Sequence, residues 1–239
     1  MTVDTSSVRE GAPREGRPSG AVAAPRGFAD DDRFFRFSQV VVKAVLRATT
    51  SLVVEDIERC PPKSDGPLIL AASHVAYYDI PLLGSVMPRA TIFISKSEVE
   101  KWPILGWVGA RYGTIYLRRG EADRGAIREA LGVLAAQQML TIFPEGHRNK
   151  GNGLLPAQPG ISLLASRGRA RIWPVAIEGT HRIFKHPRPK VTVRAGEPFD
   201  PRAILGSDGT AVRDHQVIAD EVMRRIADLL PREGRGAYA

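Results

Sequence analysis

Short β-type runs alternate with helical patterns along most of the chain. The β-type runs are apolar, rich in β-branched residues and bounded by Gly, Pro or charge; they cover residues 52–57, 68–72, 90–95, 114–117, 139–143, 171–177 and 190–194. Helical patterns cover residues 80–87, 122–138 and 210–230, and another helix starts over 160–166. The alternation predicts an α/β fold, a single domain with a largely parallel central sheet flanked by helices.

The N-terminal region divides into two parts. Residues 1–32 are rich in Gly, Pro, Ser and charge, and we expect a disordered tail there, with the folded domain spanning 33–239. Residues 33–48 place apolar side chains on one side of a helix and the cations Arg33, Arg36, Lys43 and Arg47 on the other. Such an amphipathic helix either lies in a lipid interface or packs on the protein's own core.

Charge and cysteine content narrow the classes of partner. The formal net charge is +8, and residues 167–194 hold eight Lys or Arg against the single acid Glu178. This stretch is either a solvated face or a surface for phospholipid, a phosphorylated substrate, an acidic carrier protein or nucleic acid. The lone Cys60 excludes an intrachain disulfide and a cysteine-rich zinc site, and we expect no metal. No run of eighteen apolar residues predicts a membrane-spanning helix.

Two motifs bear candidate chemistry. His74 and Asp79 are spaced as H-x-x-x-x-D in SHVAYYD, and FPEGHR follows at residues 143–148. On one regular helix His74 and Asp79 would point about 140° apart, so they meet only across a bend between strand and helix. Asp79 would then accept the Nδ1 proton of His74 and leave Nε2 to take a proton from an alcohol.

The remaining polar candidates follow successive predicted strands. His74, Lys96, Arg118 and Glu145 each come after a strand, and open α/β sheets bind ligands at the carboxyl ends of their strands. We therefore expect these residues to converge on one crevice. The chain has no G-x-S-x-G, and Cys60 has no adjacent base, so the attacking hydroxyl is expected to belong to the substrate.

The order of the motifs, with GTIYLR at 113–118 between them and WPVAI at 173–177 after them, resembles the glycerolipid acyltransferase family. It is similar to the 1-acyl-sn-glycerol-3-phosphate acyltransferases over residues 66–180, about half of the chain. The resemblance implies transfer of a fatty acyl group from acyl-CoA or acyl-carrier protein to the hydroxyl of lysophosphatidic acid, a step of phospholipid biosynthesis that makes phosphatidic acid. It implies no cofactor and makes residues 33–239 an acyltransferase domain.

The resemblance also assigns roles to residues. It makes His74 and Asp79 the general-base dyad, and it implies that Arg118, with Glu145, Gly146 and Arg148, binds the acceptor phosphate. We add Lys96 to this set. The substrate-binding candidates are thus Lys96, Arg118, Glu145, Gly146 and Arg148. A carboxylate repels phosphate, so Glu145 is expected to orient an arginine, to bind a glycerol hydroxyl or to form a structural ion pair.

Some residues depart from the family pattern or leave their role open. Asn149 stands where the family usually has serine, and Gln158 stands where a lysine is common, so donor or acceptor preference is expected to differ. Tyr77 and Tyr78 add bulk to the first motif. The apolar stretch 102–109 has three interpretations: an acyl tunnel, a lipid-inserting segment or a core helix.

The resemblance and the basic helix together predict a peripheral protein on the anionic, cytoplasmic face of the cell membrane. A non-catalytic protein that binds anionic lipid is the alternative, although His74 and Asp79 argue against it. Nucleic acid is not an expected partner, because the basic stretch lacks a reading motif and interleaved aromatic platforms. A metal hydrolase lacks a supporting ligand cluster in the sequence.

Overall fold

The computed structural model describes residues 33–96, 113–117, 124–204 and 215–239. Seven strands in these ranges form one sheet: β1 (Ser51–Glu55), β2 (Leu68–Ala72), β3 (Thr91–Lys96), β4 (Ile115–Leu117), β5 (Met139–Ile142), β6 (Arg171–Glu178) and β7 (Lys190–Ala195). Their order is β1-β7-β6-β2-β5-β3-β4, and every pairing is parallel except that of β6 with β7. The predicted α/β fold with a largely parallel sheet is confirmed.

Helices cover both faces of this sheet. The described ranges contain α1 (Arg33–Thr49), α2 (Asp79–Val86), α3 (Arg124–Ala135), α4 (Gly160–Gly168) and α5 (His215–Asp228). In β2 alternate side chains enter two different clusters: Ile69 joins residues of α3, α4 and α5, whereas Leu70 joins residues of α1 and α2. Because β2 is buried on both faces, its sequence LILAA is continuously apolar. The predicted tail, residues 1–32, lies outside the described residues.

Helix α1 uses its two sides differently. Phe35 and Leu46 are buried against the core, and the Gln39 side chain donates to the carbonyls of Gly84 and Met87 at 3.0 and 3.1 Å. The opposite side exposes Phe37, at 67% of its surface, together with Val40, Val41 and Val45. One side of α1 therefore packs on the core, and attachment of its exposed side to the membrane stays a prediction. None of the helices described is long and apolar enough to cross a membrane.

The strand directions bring one set of loops to a common edge. Strands β2 to β6 run in parallel, so the loops that follow them lie at the same edge of the sheet. Strands β1 and β7 run the opposite way and begin at that edge, where the Ser51 amide donates to the Pro189 carbonyl at 2.9 Å. The C-terminal end of α1 and the β6–β7 loop are thus placed beside the loops that hold the first motif.

Candidate active site

The loop after β2 is tied to β6 and then bends back on itself. The amide of Ser73 donates to the Val175 carbonyl at 3.1 Å, and the Ser73 hydroxyl accepts from the Ile177 amide at 2.8 Å. The chain then turns so that Asp79, the first residue of α2, faces His74. The distance from His74 Nδ1 to Asp79 Oδ2 is 2.8 Å. The contact that the H-x-x-x-x-D spacing predicts is present.

The Asp79 carboxylate is fully buried and held by several donors. Besides His74, Oδ2 accepts from the backbone amides of Val75 at 2.6 Å and Ala76 at 2.8 Å. The other oxygen, Oδ1, accepts from the Thr180 hydroxyl at 2.6 Å. An ionised carboxylate only accepts, so the neutral His74 ring must carry its proton on Nδ1. Nε2 then presents a lone pair, as a general base requires.

The His74 ring is also fixed from its face. Phe143, just after β5, stacks on it with centroids 4.0 Å apart and the ring planes 17° from parallel. The His74 side chain remains 15% exposed and lines a cavity. Stacking, together with the bond to Asp79, restricts both the position and the rotation of the imidazole.

Glu145 reaches the site from the second motif, yet its carboxylate does not line the cavity. The residue is 2% exposed. Its Oε1 accepts from the His74 amide at 2.6 Å, and its Oε2 accepts from the Leu155 amide at 2.9 Å and from the Asn149 side chain at 3.1 Å. Burial raises the pKa of Glu145, although these hydrogen bonds oppose the shift. Its described partners are amide groups, not an arginine.

The two motifs are therefore joined by hydrogen bonds to the backbone of His74. The His74 amide donates to Glu145, while its carbonyl accepts from the Asn149 amide at 2.7 Å. Asn149, which the sequence marks as a departure, donates its side-chain amide to both Glu145 oxygens and accepts from the Gly151 amide at 2.9 Å. Glu145 and Asn149 position the His74 backbone, a role that spacing alone did not suggest.

The cavity beside His74 has a volume of about 540 Å³, within the range of small-molecule sites. Strands β3 and β5 and helices α3 and α4 supply an apolar wall made up of Ile94, Ala126, Ile127, Ala130, Ile142, Ile161, Leu163 and Leu164. The polar side is formed by His74, Tyr77, His147, Arg148 and Gln158. A cavity of this kind accommodates a hydrocarbon chain next to a polar group.

Arg148 and Gly146, both predicted to bind substrate, lie on this cavity. The Arg148 guanidinium stacks on the Tyr77 ring, 3.6 Å from its centroid, which orients the cation through a cation–π contact. Gly146 has φ of +68° and donates its amide to the Phe143 carbonyl at 3.0 Å, so the FPEG turn needs a glycine there. The structure thus brings both residues to the side of the cavity where His74 lies.

The other two substrate-binding candidates are Lys96 and Arg118. Lys96 ends β3, whose residues Ile94 and Ser95 border the cavity, but its side chain lies outside the described part of the chain. Arg118 and the apolar stretch 102–109 lie wholly outside it. Their proposed roles stay predictions. Across the described residues, no group of three or more His, Cys, Asp or Glu side chains could hold a metal ion.

Thr180 is a site residue that sequence reasoning missed. It lies two residues beyond β6, at the edge where the other strand-end residues converge, and its hydroxyl bonds to Asp79. Its position after a strand end was a usable signal, because the same rule had selected His74 and Glu145.

Three comparisons relate the chain to known proteins. A family model described as Acyltransferase matches residues 51–178. The chain is 38% identical over 112 residues to a lyso-ornithine lipid O-acyltransferase of Pseudomonas aeruginosa, covering 46% of this chain and 43% of that protein. It is 32% identical over 124 residues to a 1-acyl-sn-glycerol-3-phosphate acyltransferase of Neisseria gonorrhoeae, covering 51% of this chain and 48% of that protein.

The fold is also shared with a solved structure. The chain aligns with the crystal structure of the 1-acyl-sn-glycerophosphate (LPA) acyltransferase PlsC from Thermotoga maritima, with a TM-score of 0.64, 25% identity, and coverage of 82% of this chain and 79% of that one. The matched regions span somewhat less than half the length of the two curated relatives. The family match covers more than half of this chain and includes both motifs. The chain therefore belongs to the acyltransferase family.

Proposed function

We propose that this protein transfers a fatty acyl group from an acyl thioester, either acyl-CoA or acyl-carrier protein, to the free hydroxyl of lysophosphatidic acid and so forms phosphatidic acid. The observation that carries the proposal is the 2.8 Å contact of His74 Nδ1 with Asp79, at the polar side of a cavity with an apolar wall. A general base beside a hydrocarbon-binding cavity suits the acylation of a lipid alcohol.

The reaction needs no covalent enzyme intermediate. His74 Nε2 takes the proton from the acceptor hydroxyl as that oxygen attacks the thioester carbonyl carbon. The tetrahedral intermediate collapses by breaking the C–S bond, and the departing thiolate receives the proton from the imidazolium. Asp79 stabilises the transient imidazolium and keeps the ring in the required orientation. General base catalysis of this kind contributes about 10² to 10⁴ in rate.

The acceptor phosphate is assigned to Arg148 and, from the sequence, to Arg118, with Lys96 as a further cation. Arg148 supports this assignment because Tyr77 fixes its guanidinium beside the cavity, and guanidinium binds phosphate through paired hydrogen bonds. Glu145 acts differently in this proposal: it holds the His74 backbone and leaves the phosphate to the arginines.

Lyso-ornithine lipid is a second candidate acceptor. The Pseudomonas aeruginosa relative is named for that substrate. In addition, the cavity has the neutral Gln158 where the family commonly has lysine. A glutamine in place of a lysine removes one positive charge, which favours a headgroup that carries less negative charge than phosphate.

The proposal includes peripheral attachment to the anionic, cytoplasmic face of the cell membrane. The exposed Phe37 and Val41 of α1, with cations nearby in sequence, support it because such a surface suits the lipid interface. A non-catalytic lipid-binding protein is not favoured, since it would have no use for the oriented dyad of His74 and Asp79.

The test is an acceptor panel. Purified full-length protein is incubated with labelled acyl-CoA or acyl-carrier protein and with lysophosphatidic acid, lyso-ornithine lipid or lysophosphatidylcholine. We expect labelled phosphatidic acid that is absent with a His74→Ala variant of unchanged circular dichroism. Acylation of lyso-ornithine lipid alone would select the second candidate, and no acylation of any lysolipid would refute both.

A further inference from the structure

The β6–β7 loop, residues 179–189, holds an exposed aromatic side chain in a strained backbone conformation. Phe184 is 72% exposed, although its neighbour Ile183 is buried in the cluster under α1 and α2. Its φ of +62° lies in the left-handed region, which a bulky residue rarely adopts. Strain and apolar exposure both disfavour this arrangement in the protein alone, and such features cluster at functional surfaces.

The loop is attached to the candidate active site at one end. Thr180 donates to the Asp79 carboxylate, and the Phe184 ring meets the Tyr78 ring edge-on, with centroids 5.5 Å apart. Tyr78 is itself exposed and immediately precedes Asp79. A surface that includes Phe184 and Tyr78 therefore borders the bend that carries His74.

At its other end the loop adjoins α1. The Pro189 carbonyl accepts from the amide of Ser51, two residues after α1 ends. The exposed Val41 and Val45 lie in the last turns of α1 that lead to this junction. Exposed apolar side chains thus occur on both the loop and α1, on elements that meet at the active-site edge.

The charge of the loop is uniformly positive. Between Glu178 and Glu197 the sequence contains no acid, and four exposed cations accompany Phe184: Arg182, Lys185, Arg188 and Lys190. Arg194 is engaged instead with Glu55 at 2.5 Å. Aromatic side chains among exposed cations form a surface suited to the interface of an anionic bilayer, where the rings enter the acyl boundary and the cations meet phosphates.

We propose that Phe184, Tyr78 and the cations Lys185 and Arg188 form a second membrane-docking surface that holds the His74 site against an anionic bilayer. The benefit of this placement rests on the proposed function, because a lysolipid acceptor and its product reside in the bilayer. An acidic carrier protein is the competing partner for a basic surface. The apolar side chains spread over the loop and α1 favour the extended bilayer instead.

The first experiment measures vesicle binding by the full-length protein, which requires no turnover. Phe184→Ser and the pair Lys185→Gln with Arg188→Gln are compared in co-sedimentation with phosphatidylcholine vesicles, with and without phosphatidylglycerol. Matched controls are Val217→Ser, an exposed apolar residue on α5, and Arg167→Gln with Arg169→Gln, exposed just before β6. We expect each loop variant to lower the partition coefficient on anionic vesicles about tenfold, while the controls stay at the wild-type value.

The second experiment locates the loop directly. Cys60 is the only cysteine, so Cys60→Ser with Phe184→Cys gives a single position for an environment-sensitive fluorophore, and Cys60→Ser with Val217→Cys gives its control. We expect a blue shift of the emission on anionic vesicles at position 184 and none at 217. Equal spectra at both positions while the protein is bound, or wild-type vesicle binding by Phe184→Ser, would overturn the proposal.

Activity assays separate the alternatives. Phe184→Ser should retain turnover of a water-soluble short-chain acceptor and lose it on vesicle-embedded acceptor. A loss of kcat/KM for the acyl-carrier donor with unchanged vesicle binding would assign the loop to the carrier and overturn membrane docking. If neither the wild type nor any variant turns over a lysolipid, while vesicle binding still depends on Phe184, the proposed function fails and the docking surface stands.

Discussion

Thr180 donates its hydroxyl hydrogen to Asp79 Oδ1 at 2.6 Å, although the two residues are 101 positions apart in the sequence. The bond links the end of β6 to the start of α2. It engages the carboxylate oxygen that His74 does not use. Asp79 is thereby held by the backbone of its own loop on one oxygen and by a different strand end on the other.

Replacing Thr180 tests whether this bond positions the dyad. Thr180→Val keeps the shape and removes the donor, and a hydrogen bond to a buried charge contributes about 1.5 to 3 kcal/mol. We expect kcat to fall about tenfold or more with little change in KM. Thr180→Ser should restore most of the activity because it keeps the hydroxyl. A Val variant with a normal kcat and a normal pH profile would limit Thr180 to packing.

The dyad itself is tested by replacing each of its two residues. His74→Ala should lower kcat by about 10² to 10⁴, the usual cost of losing a general base. Asp79→Asn should be nearly as damaging, because an amide cannot accept from every donor that surrounds Asp79 and would favour the other His74 tautomer. Thermal unfolding measured beside the kinetics separates the two cases, since Asp79→Asn also disturbs buried hydrogen bonds. A folded His74→Ala protein with near-normal turnover would contradict the mechanism.

Most of the fold could be predicted because its elements have strong periodic signals. The buried run LILAA of β2 and the amphipathic pattern of α3 each begin and end within a few residues of the predicted bounds. The antiparallel pairing of β7 with β6 was not foreseen, since strand direction depends on the path of the connecting loop. A β-type run carries no signal for that path.

The candidate site was partly predictable for a related reason. The spacing of His74 and Asp79 requires a bend, and the end of β2 supplies one, so their contact followed from sequence. Glu145 has the same kind of position after β5, but which way its side chain turns depends on the Leu155 and Asn149 amides. Contacts between such distant segments leave no local pattern.

Arg148 offers a test of acceptor recognition. Arg148→Ala should raise KM for lysophosphatidic acid more than KM for the acyl donor, because the lost group is assigned to the acceptor phosphate. Tyr77→Leu should give a milder effect of the same kind by removing the ring under the guanidinium, and Tyr77→Phe, which keeps the ring, should affect KM less than Tyr77→Leu does. Arg118→Ala is expected to resemble Arg148→Ala. Saturation kinetics for each substrate give the answer, and a change confined to the donor would reverse the assignment.

Glu145 predicts a specific pH dependence of stability. Burial raises the pKa of its carboxyl above the ordinary 4.5, so the folded protein holds this proton more tightly than the unfolded chain does. The contribution is therefore fully present below pH 4.5 and is lost as the pH rises through the raised pKa. In urea unfolding from pH 4.5 to 7, the wild type should lose more stability than Glu145→Gln. Parallel curves for the two proteins would show that Glu145 does not titrate in this range.

The same substitution should also impair catalysis. Glutamine keeps one acceptor oxygen but turns an NH₂ group toward a backbone donor of His74 or Leu155, and a buried unsatisfied donor costs about 1 to 3 kcal/mol. We expect the His74 loop to shift and kcat to fall about tenfold. A normal kcat in the Glu145→Gln enzyme would contradict the positioning role of Glu145. Direct contact of Glu145 with the substrate would then be the alternative to test.

The role of α1 in membrane attachment can be tested without removing the helix. Deleting it would take Phe35 and Leu46 out of the core, so loss of membrane binding would be confused with loss of folding. Phe37→Ser with Val41→Ser changes only exposed positions, and the melting temperature should stay near the wild-type value. Val217→Ser, an exposed site on α5, is the matched control.

We expect the α1 variant to sediment less with neutral and anionic vesicles alike, because the burial of apolar surface in the bilayer does not depend on the charge of the lipid. Arg47→Gln should instead weaken binding only to anionic vesicles and only at low salt, since exposed charges are screened over about 8 Å at physiological ionic strength. Turnover of a water-soluble acceptor should be unchanged in both. Wild-type sedimentation of the Phe37 and Val41 variant would leave α1 as a core helix and assign attachment to the β6–β7 loop, whose Phe184→Ser variant would then abolish binding by itself.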